Sequence, residues 1–183
     1  MKNPWKTLSS TEIYSNRWIR VREDKVITPP HGKAGIYGVV ETKPAIGIVA
    51  LTEDLDTYLV GQYRYTLDTY SWEIPEGGAE ENEKLLDAAK RELLEETGLS
   101  ARRWTDLGEM YTSNCFTNER GYIFVAEDLS QGVAQPDPTE KLEIKKLPFL
   151  EVWQMVINQG IKDSLAITAI MRTYHLLQQQ NRI

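Results

Sequence analysis

One segment of 23 residues, GGAEENEKLLDAAKRELLEETGL (77–99), concentrates the acidity of this chain. Nine acidic and three basic residues lie between positions 73 and 99, and this excess equals the net charge of −6 carried by all 183 residues. The apolar residues recur at helical spacing, which predicts an amphipathic helix over roughly residues 82–97, followed by Gly98 at its C′ position. Its predicted apolar stripe consists of Leu85, Leu86, Ala89, Leu93 and Leu94.

Carboxylates crowd one side of this predicted helix. Glu92 and Glu96 are four residues apart and share a face, and Glu95 lies beside them. Like charges at this spacing destabilise a helix by a few tenths of a kcal/mol per pair, and one guanidinium, that of Arg91, cannot neutralise three carboxylates. A divalent cation is the natural counter-charge, because Mg²⁺ prefers oxygen ligands and combines one or two carboxylates with substrate phosphates. A solvated acidic face is the alternative for a generic acidic helix.

Composition and charge exclude several classes of function. A pI near 5.1 argues against general nucleic-acid binding, because phosphate neutralisation requires a basic surface. The single cysteine, Cys115, excludes an internal disulfide framework and fits a reducing cytosol. No apolar run approaches the ~18–20 residues that a bilayer span requires, and the N-terminus lacks the apolar core of a signal peptide. We expect a cytoplasmic protein with no membrane and no nucleic-acid partner.

Strand-like alternation dominates residues 11–51, and the acidic helix, further strands and two C-terminal helices follow. This order predicts an α+β or α/β/α layered domain. The Lys43-Pro44 pair marks a boundary between an N-terminal β subdomain, residues 1–43, and a main domain, residues 44–183. The last predicted helix, SLAITAIMRTYHLLQQQ, is capped by Asp163 or Ser164.

The acidic segment resembles the Nudix box of the Nudix hydrolases at every specified position: Gly77, Glu83, Arg91-Glu92-Leu93, Glu95-Glu96 and Gly98-Leu99. Its flanks, QYRY (62–65), WEIPEGG (72–78) and MYTSNCFTNE (110–119), are similar to the branch that includes ADP-ribose and other nucleotide-sugar pyrophosphatases. The resemblance implies the Nudix fold, an α/β/α sandwich with a mixed central sheet, plus an N-terminal antiparallel β subdomain. It also implies a homodimer, in which the N-terminal strands reach across to the partner.

The same resemblance implies an activity, the metal-dependent hydrolysis of the pyrophosphate bond of a nucleoside diphosphate sugar, such as ADP-ribose or GDP-mannose. The products would be a nucleoside monophosphate and a sugar phosphate, and the cofactor would be Mg²⁺, with Mn²⁺ as the alternative ion. Two other functions remain open: a nucleoside triphosphate pyrophosphohydrolase of mutator type and a non-catalytic Nudix ligand sensor. The complete set of box glutamates favours an enzyme over the sensor.

Roles for the box residues follow from their positions in the motif. Glu92 and Glu96 would be the principal metal ligands, and the carbonyl group of Glu76 a further one. Glu95 would be a ligand or a group that holds a water beside the cation. Arg91 would orient the glutamates without touching the substrate. Glu83 would brace the loop.

Residues outside the box complete the expected site. Arg64 would grip a phosphate, the alternative being a strand arginine paired with a carboxylate. Glu73 would contact the substrate or make a structural hydrogen bond. The catalytic base is expected in PDPTEKLEIKKLP (136–148), with Glu140 the first candidate and Glu143 the second, although both are also explained as solvated loop carboxylates. Glu119, in the other loop after the box, would reach the metal or phosphate.

One departure broadens the expected substrate range. Members that prefer ADP-ribose carry a proline about fifteen residues beyond the box, whereas this chain has Ser113-Asn114-Cys115. The departure admits other nucleoside diphosphate sugars, GDP-mannose included, and Asn114 would hydrogen-bond a sugar. Seven aromatic residues are candidates for stacking on the base, with none assigned: Tyr14, Trp18, Tyr37, Tyr63, Tyr65, Tyr70 and Trp72.

Overall fold

The computed structural model describes residues 2–29, 32–134 and 141–183. Within them lie ten strands, three α-helices and a 3₁₀ turn at Tyr65–Leu67. The strands before the acidic helix are β1 (Lys6–Ser15), β2 (Ile19–Thr28), β3 (Lys33–Thr42), β4 (Ala45–Leu51), β5 (Asp56–Arg64), β6 (Thr69–Glu73) and β7 (Glu76–Gly78). The remaining elements are α1 (Leu85–Thr97), β8 (Leu99–Tyr111), β9 (Arg120–Gln131), β10 (Glu143–Pro148), α2 (Phe149–Ile157) and α3 (Ser164–Gln179).

The chain divides into two compact units. The first comprises Met1–Pro44 and Tyr111–Arg120, and the second Ala45–Met110 and Gly121–Ile183. The first unit contains an antiparallel sheet in the order β1-β2-β3. The loop after β8 joins this unit, where Val40 N–H donates to the carbonyl oxygen of Phe116 at 2.8 Å. Every residue of β1 is exposed, so this strand forms no core of its own.

A mixed sheet organises the second unit. Its order is β10-β5-β4-β9-β8, with β6 paired to β5 and β7 paired to β4. Strand β4 runs parallel to β9 and antiparallel to β5 and β7. The mixed central sheet that the resemblance implied is therefore confirmed.

Strand β4 shows why helices cover both faces of this sheet. Alternate residues of a strand point to opposite faces. Ile46, Ile48 and Ala50 belong to the core cluster that contains the buried residues of α1, namely Ala88, Ala89 and Leu93. Val49 and Leu51 belong to a second cluster, with residues of α2 and α3 that include Phe149, Val152, Ala166 and Ile170. The result is the predicted three-layer α/β/α arrangement.

Helix α1 begins at Leu85, three residues later than the sequence predicts. Asn82 has a φ of 64°, and Lys84 has extended backbone, so residues 82–84 form the loop that enters the helix. The predicted apolar stripe was wrong at Leu94, which is 44% exposed, whereas Glu96 is buried. The predicted end is confirmed, because Gly98 has a φ of 73° and its N–H donates to the carbonyl of Leu94 at 2.9 Å.

Candidate active site

Two glutamates of α1 converge on the bend at Pro75 and the first residues of the short strand β7. We call this segment the Glu76–Gly77 turn. Strand β7 is fixed by pairing with β4, and α1 packs on the same sheet. Glu96 is buried, and its Oε2 accepts a hydrogen bond from the backbone N–H of Glu76 at 3.0 Å. The carboxylate of Glu92 lies against Gly77 so closely that a Cβ atom at position 77 would overlap it. Glu96 therefore lies against the backbone of Glu76 and Glu92 against that of Gly77.

Arg91 holds the carboxylates of the box in place. Its Nε and Nη2 donate to the two carboxylate oxygens of Glu83 at 3.0 and 2.9 Å. Its Nη1 donates to Glu92 at 2.7 Å and to Glu95 at 3.0 Å, and Nη2 also donates to the carbonyl of Gly78 at 2.9 Å. These bonds, that to Glu83 foremost, raise the pKa of Arg91 above its ordinary value. One guanidinium thus joins the loop before α1 to two helix glutamates.

A second arginine pairs with acidic residues beside the same turn. Arg64 Nε donates to both oxygens of Glu73, at 2.9 and 3.1 Å, and Nη2 donates to Glu76 Oε1 at 2.8 Å. Burial opposes the charge of Arg64, but the hydrogen bond to Glu73 and the charge of Glu76 outweigh it and raise the pKa of Arg64. In this structure, Arg64 has the carboxylate partners that the sequence admitted as the alternative to a phosphate grip.

Glu76 is a strongly perturbed carboxyl group beside the turn. Burial raises its pKa well above the ordinary glutamate value, and the nearby charges of Asp163 and Glu73 raise it further, against the opposing effect of Arg64. Its Oε2 is buried and, among the residues that the structure describes, has no hydrogen-bond partner. Asp163 was predicted only as a helix cap, which it is, because its Oδ1 accepts the N–H of Ala166 at 2.7 Å. No sequence pattern indicated that Asp163 would also act on Glu76.

These residues fit a divalent cation. Across residues 2–29, 32–134 and 141–183, no three acidic, histidine or cysteine side chains stand in a preformed coordination arrangement. Magnesium sites of the kind expected here take only one or two carboxylates from the protein, and substrate phosphates supply further oxygens. The convergence of Glu92 and Glu96 beside the Glu76–Gly77 turn provides two such carboxylates.

The other predicted residues lie elsewhere. Glu140 lies outside the described residues. Glu143 begins β10 opposite Gly61, and its Oε2 accepts a hydrogen bond from the Tyr70 hydroxyl at 2.9 Å. Asn114 and Glu119 belong to the first compact unit, so their expected roles toward substrate and metal stay predictions.

Comparison with known proteins identifies the family. The profile of the NUDIX domain matches residues 41–166, and that of the nucleoside diphosphate sugar hydrolase N-terminal domain matches residues 5–40. The ADP-ribose pyrophosphatase of Bacillus subtilis (strain 168) is 33% identical over 157 residues, which are 86% of this chain and 81% of the relative. The chain therefore belongs to the NUDIX family and is an enzyme of the hydrolase class.

Two further similarities extend along most of the chain. The methanol dehydrogenase activator of Bacillus methanolicus is 30% identical over 167 residues, 90% of each protein. A crystal structure of an ADP compounds hydrolase superposes with a TM-score of 0.87 over 98% of this chain and 97% of its own; at 22% identity, this likeness concerns the fold. In the described part of the chain, no helix is both long and apolar enough to cross a membrane.

Proposed function

We propose that this enzyme hydrolyses the pyrophosphate bond of ADP-ribose or a similar nucleoside diphosphate sugar, such as GDP-mannose, in a reaction that depends on Mg²⁺ or Mn²⁺. The products are a nucleoside monophosphate and a sugar phosphate. One observation carries the proposal: Glu92 and Glu96 converge on the Glu76–Gly77 turn, and Arg91 holds Glu92 there by a hydrogen bond. The name of the B. subtilis relative, ADP-ribose pyrophosphatase, supports the choice of substrate.

The residues of α1 and of the Glu76–Gly77 turn have different proposed roles. Glu92 and Glu96 would hold the cation, together with the carbonyl oxygen of Glu76, and Glu95 would be a further ligand or hold a water beside the cation. When bound, the cation neutralises the diphosphate and makes water a better nucleophile. Arg91 keeps the glutamates oriented and makes no contact with the substrate.

Residues beyond the turn bind substrate and move the proton. Arg64 turns part of its guanidinium to a phosphate oxygen while Glu73 keeps it oriented. Glu140 accepts the proton of the attacking water, with Glu143 as the alternative base. Asn114 hydrogen-bonds a sugar of the substrate, and Glu119 reaches the metal or the phosphate.

The N-terminal unit is proposed to form a homodimer. Every residue of β1 is exposed, and its sheet exposes large apolar side chains, including Ile13 and Ile36, which are 62% and 68% exposed. A three-stranded sheet needs cover for such residues, and large exposed apolar patches mark interaction sites. Residues 5–40 match a separate family model, the nucleoside diphosphate sugar hydrolase N-terminal domain, which supports a role for this unit distinct from that of the NUDIX domain. With one cysteine and no disulfide framework, the dimer suits the cytoplasm.

A substrate panel tests the proposal. The purified enzyme is incubated with ADP-ribose, GDP-mannose, ADP-glucose, UDP-glucose and dGTP, with Mg²⁺ and with excess chelator. We expect turnover of at least one sugar nucleotide, abolished by the chelator, with dGTP a poor substrate. Preferred hydrolysis of dGTP would instead establish the triphosphate activity. Binding of a sugar nucleotide without hydrolysis would establish the ligand sensor.

A further inference from the structure

A cavity of about 590 Å³ opens beside the Glu76–Gly77 turn, and most of its lining has no role assigned above. Arg64, Glu73 and Glu76 line one end. The β5–β6 connection, from Thr66 to Ser71, and the α2–α3 connection, from Gln159 to Ser164, line the rest. All of these residues belong to the second compact unit. The volume lies within the ~300–1,000 Å³ range of ligand pockets.

The lining of this cavity offers polar side chains without a bonding partner among the described residues. Within the described part of the chain, these side chains make no hydrogen bond or ion pair: Thr66, Thr69, Ser71, Gln159, Lys162 and Ser164. Asp163 uses Oδ1 for its own helix, so Oδ2 remains to accept a hydrogen bond. Hydroxyl, amide and carboxylate groups complement a ligand that carries several hydroxyls, and the ammonium group of Lys162 complements a negative charge on it.

A nucleobase is a poorer match for the same walls. Bases are bound by stacking on a planar aromatic face or by apolar walls with a few placed polar groups. Tyr70 is the one aromatic side chain in the lining, and its hydroxyl is held by Glu143 at 2.9 Å. Most of the lining residues are polar, and only one is aromatic. The polar character therefore favours the half of the substrate that carries the sugar and its phosphate.

We infer that this cavity is the subsite for the sugar-phosphate half of the substrate, with Lys162 and Ser164 as its specificity-determining residues. The inference rests on the proposed function, because it assumes that the diphosphate lies at the Glu76–Gly77 turn. Lys162 attracts the phosphate next to the sugar, and Ser164 hydrogen-bonds a sugar hydroxyl. The nucleoside half lies outside this cavity.

Binding of the two products, measured separately, distinguishes the subsite of the sugar-phosphate half from that of the nucleotide half. Ribose 5-phosphate and AMP are titrated separately into the full-length protein with Mg²⁺ by calorimetry, for the wild type, Lys162→Ala and Ser164→Ala. Both side chains are exposed and neither makes a bond within the protein, so both variants should fold. Lys90→Ala is the matched control, because it removes an exposed lysine of α1 that pairs with Asp87 alone.

We expect Lys162→Ala to weaken ribose 5-phosphate binding roughly tenfold, the loss typical of one charge-assisted contact, and Ser164→Ala to weaken it severalfold. AMP binding should stay within about twofold of the wild type in both, and Lys90→Ala should change neither ligand. In turnover of ADP-ribose, KM should rise while kcat stays unchanged.

Three results would overturn the inference: no binding of ribose 5-phosphate to the wild type, unchanged binding to both variants, or a selective loss of AMP binding. The last would place the nucleotide half in the cavity. Failure of the proposed function has a different signature, namely no turnover of any sugar nucleotide by the wild-type enzyme.

Discussion

Glu96 accepts a hydrogen bond from the backbone N–H of Glu76, a residue twenty positions earlier, at 3.0 Å. The bond joins the last turn of α1 to the first residue of β7, and both groups are shielded from water because Glu96 is buried. A carboxylate that could be solvated is thereby held at the turn where the diphosphate is proposed to lie. Burying a charge is costly unless it is compensated, and in the proposed function a cation contributes to that compensation.

Glu96→Gln should lower kcat by about 100-fold or more, equivalent to about 2.7 kcal/mol in the barrier, because the amide lacks the charge that holds a cation. The amide oxygen can still accept the N–H of Glu76, so the thermal unfolding midpoint should change little. Steady-state kinetics and circular dichroism measure both. Asp87→Asn, on the exposed side of α1, is the control. Wild-type turnover in Glu96→Gln would refute the ligand assignment.

Gly77→Ala should reduce kcat by roughly tenfold or more, because the new Cβ would occupy the position of the Glu92 carboxylate and displace it from the turn. Gly78→Ala is a closely matched control, since a Cβ at the neighbouring position meets no atom within 4 Å. Kinetics of the two variants at saturating Mg²⁺ make the comparison. Equal activities would show that the position of Glu92 is unimportant for turnover.

Arg91→Ala should destabilise the fold by about 1–2 kcal/mol and reduce activity, because it leaves Glu83, Glu92 and Glu95 without their shared donor. Arg91→Lys should recover part of the stability and little of the activity, since an ammonium group cannot reproduce the fork that reaches three carboxylates. Urea unfolding and kinetics measure the two effects. Arg102→Ala, which removes an 80% exposed arginine paired with Asp128, should cost almost nothing.

The acid stability of the fold should depend on Glu127. Burial alone would raise its pKa, but hydrogen bonds from Arg103 at 3.1 Å and Arg182 at 2.7 Å outweigh burial and lower it. Because the folded pKa lies below the unfolded one, the stabilisation is complete above the unfolded value of about 4.3 and is lost as the pH falls through the folded value.

Glu127→Gln should therefore be less stable than the wild type at pH 7, and the difference should shrink as the pH falls below about 4. Free energies of unfolding measured by urea titration between pH 7 and pH 3 provide the test. Glu151→Gln, a change at an exposed position of α2, controls for the loss of one negative charge. A constant difference between wild type and Glu127→Gln at all pH values would contradict the assignment.

The proposed dimer can be tested by placing charges on the first unit. Ile13→Asp combined with Ile36→Asp should convert a dimer into a monomer, because a buried, unpaired carboxylate costs more than a stable interface can offset. Light scattering after size exclusion gives the mass directly. Leu150→Asp, at an exposed apolar residue of α2, should remain dimeric. A monomeric wild type would refute the proposal.

Local signals predicted the elements that depend on neighbouring residues. Gly98 ends α1 because glycine adopts a left-handed conformation at little cost, and Asp163 caps α3 because its carboxylate reaches the N–H of Ala166. The start of α1 was misplaced because Glu83 belongs to the loop bound by Arg91, and apolar periodicity carries no information about that bond. Leu94 is exposed for a related reason: tertiary contacts of Glu96 help to set which face of α1 is buried.

The sequence by itself determined the family and the spacing of the box glutamates, because 3.6 residues per turn place Glu92 and Glu96 on one face wherever the helix lies. Only the tertiary structure decided what those carboxylates face, which partners Arg64 has, and that the α2–α3 connection lines a cavity beside the turn. These relationships join residues 9 to about 100 positions apart, and sheet pairing and helix packing bring them together. Patterns of neighbouring residues do not predict contacts between residues so far apart in the chain.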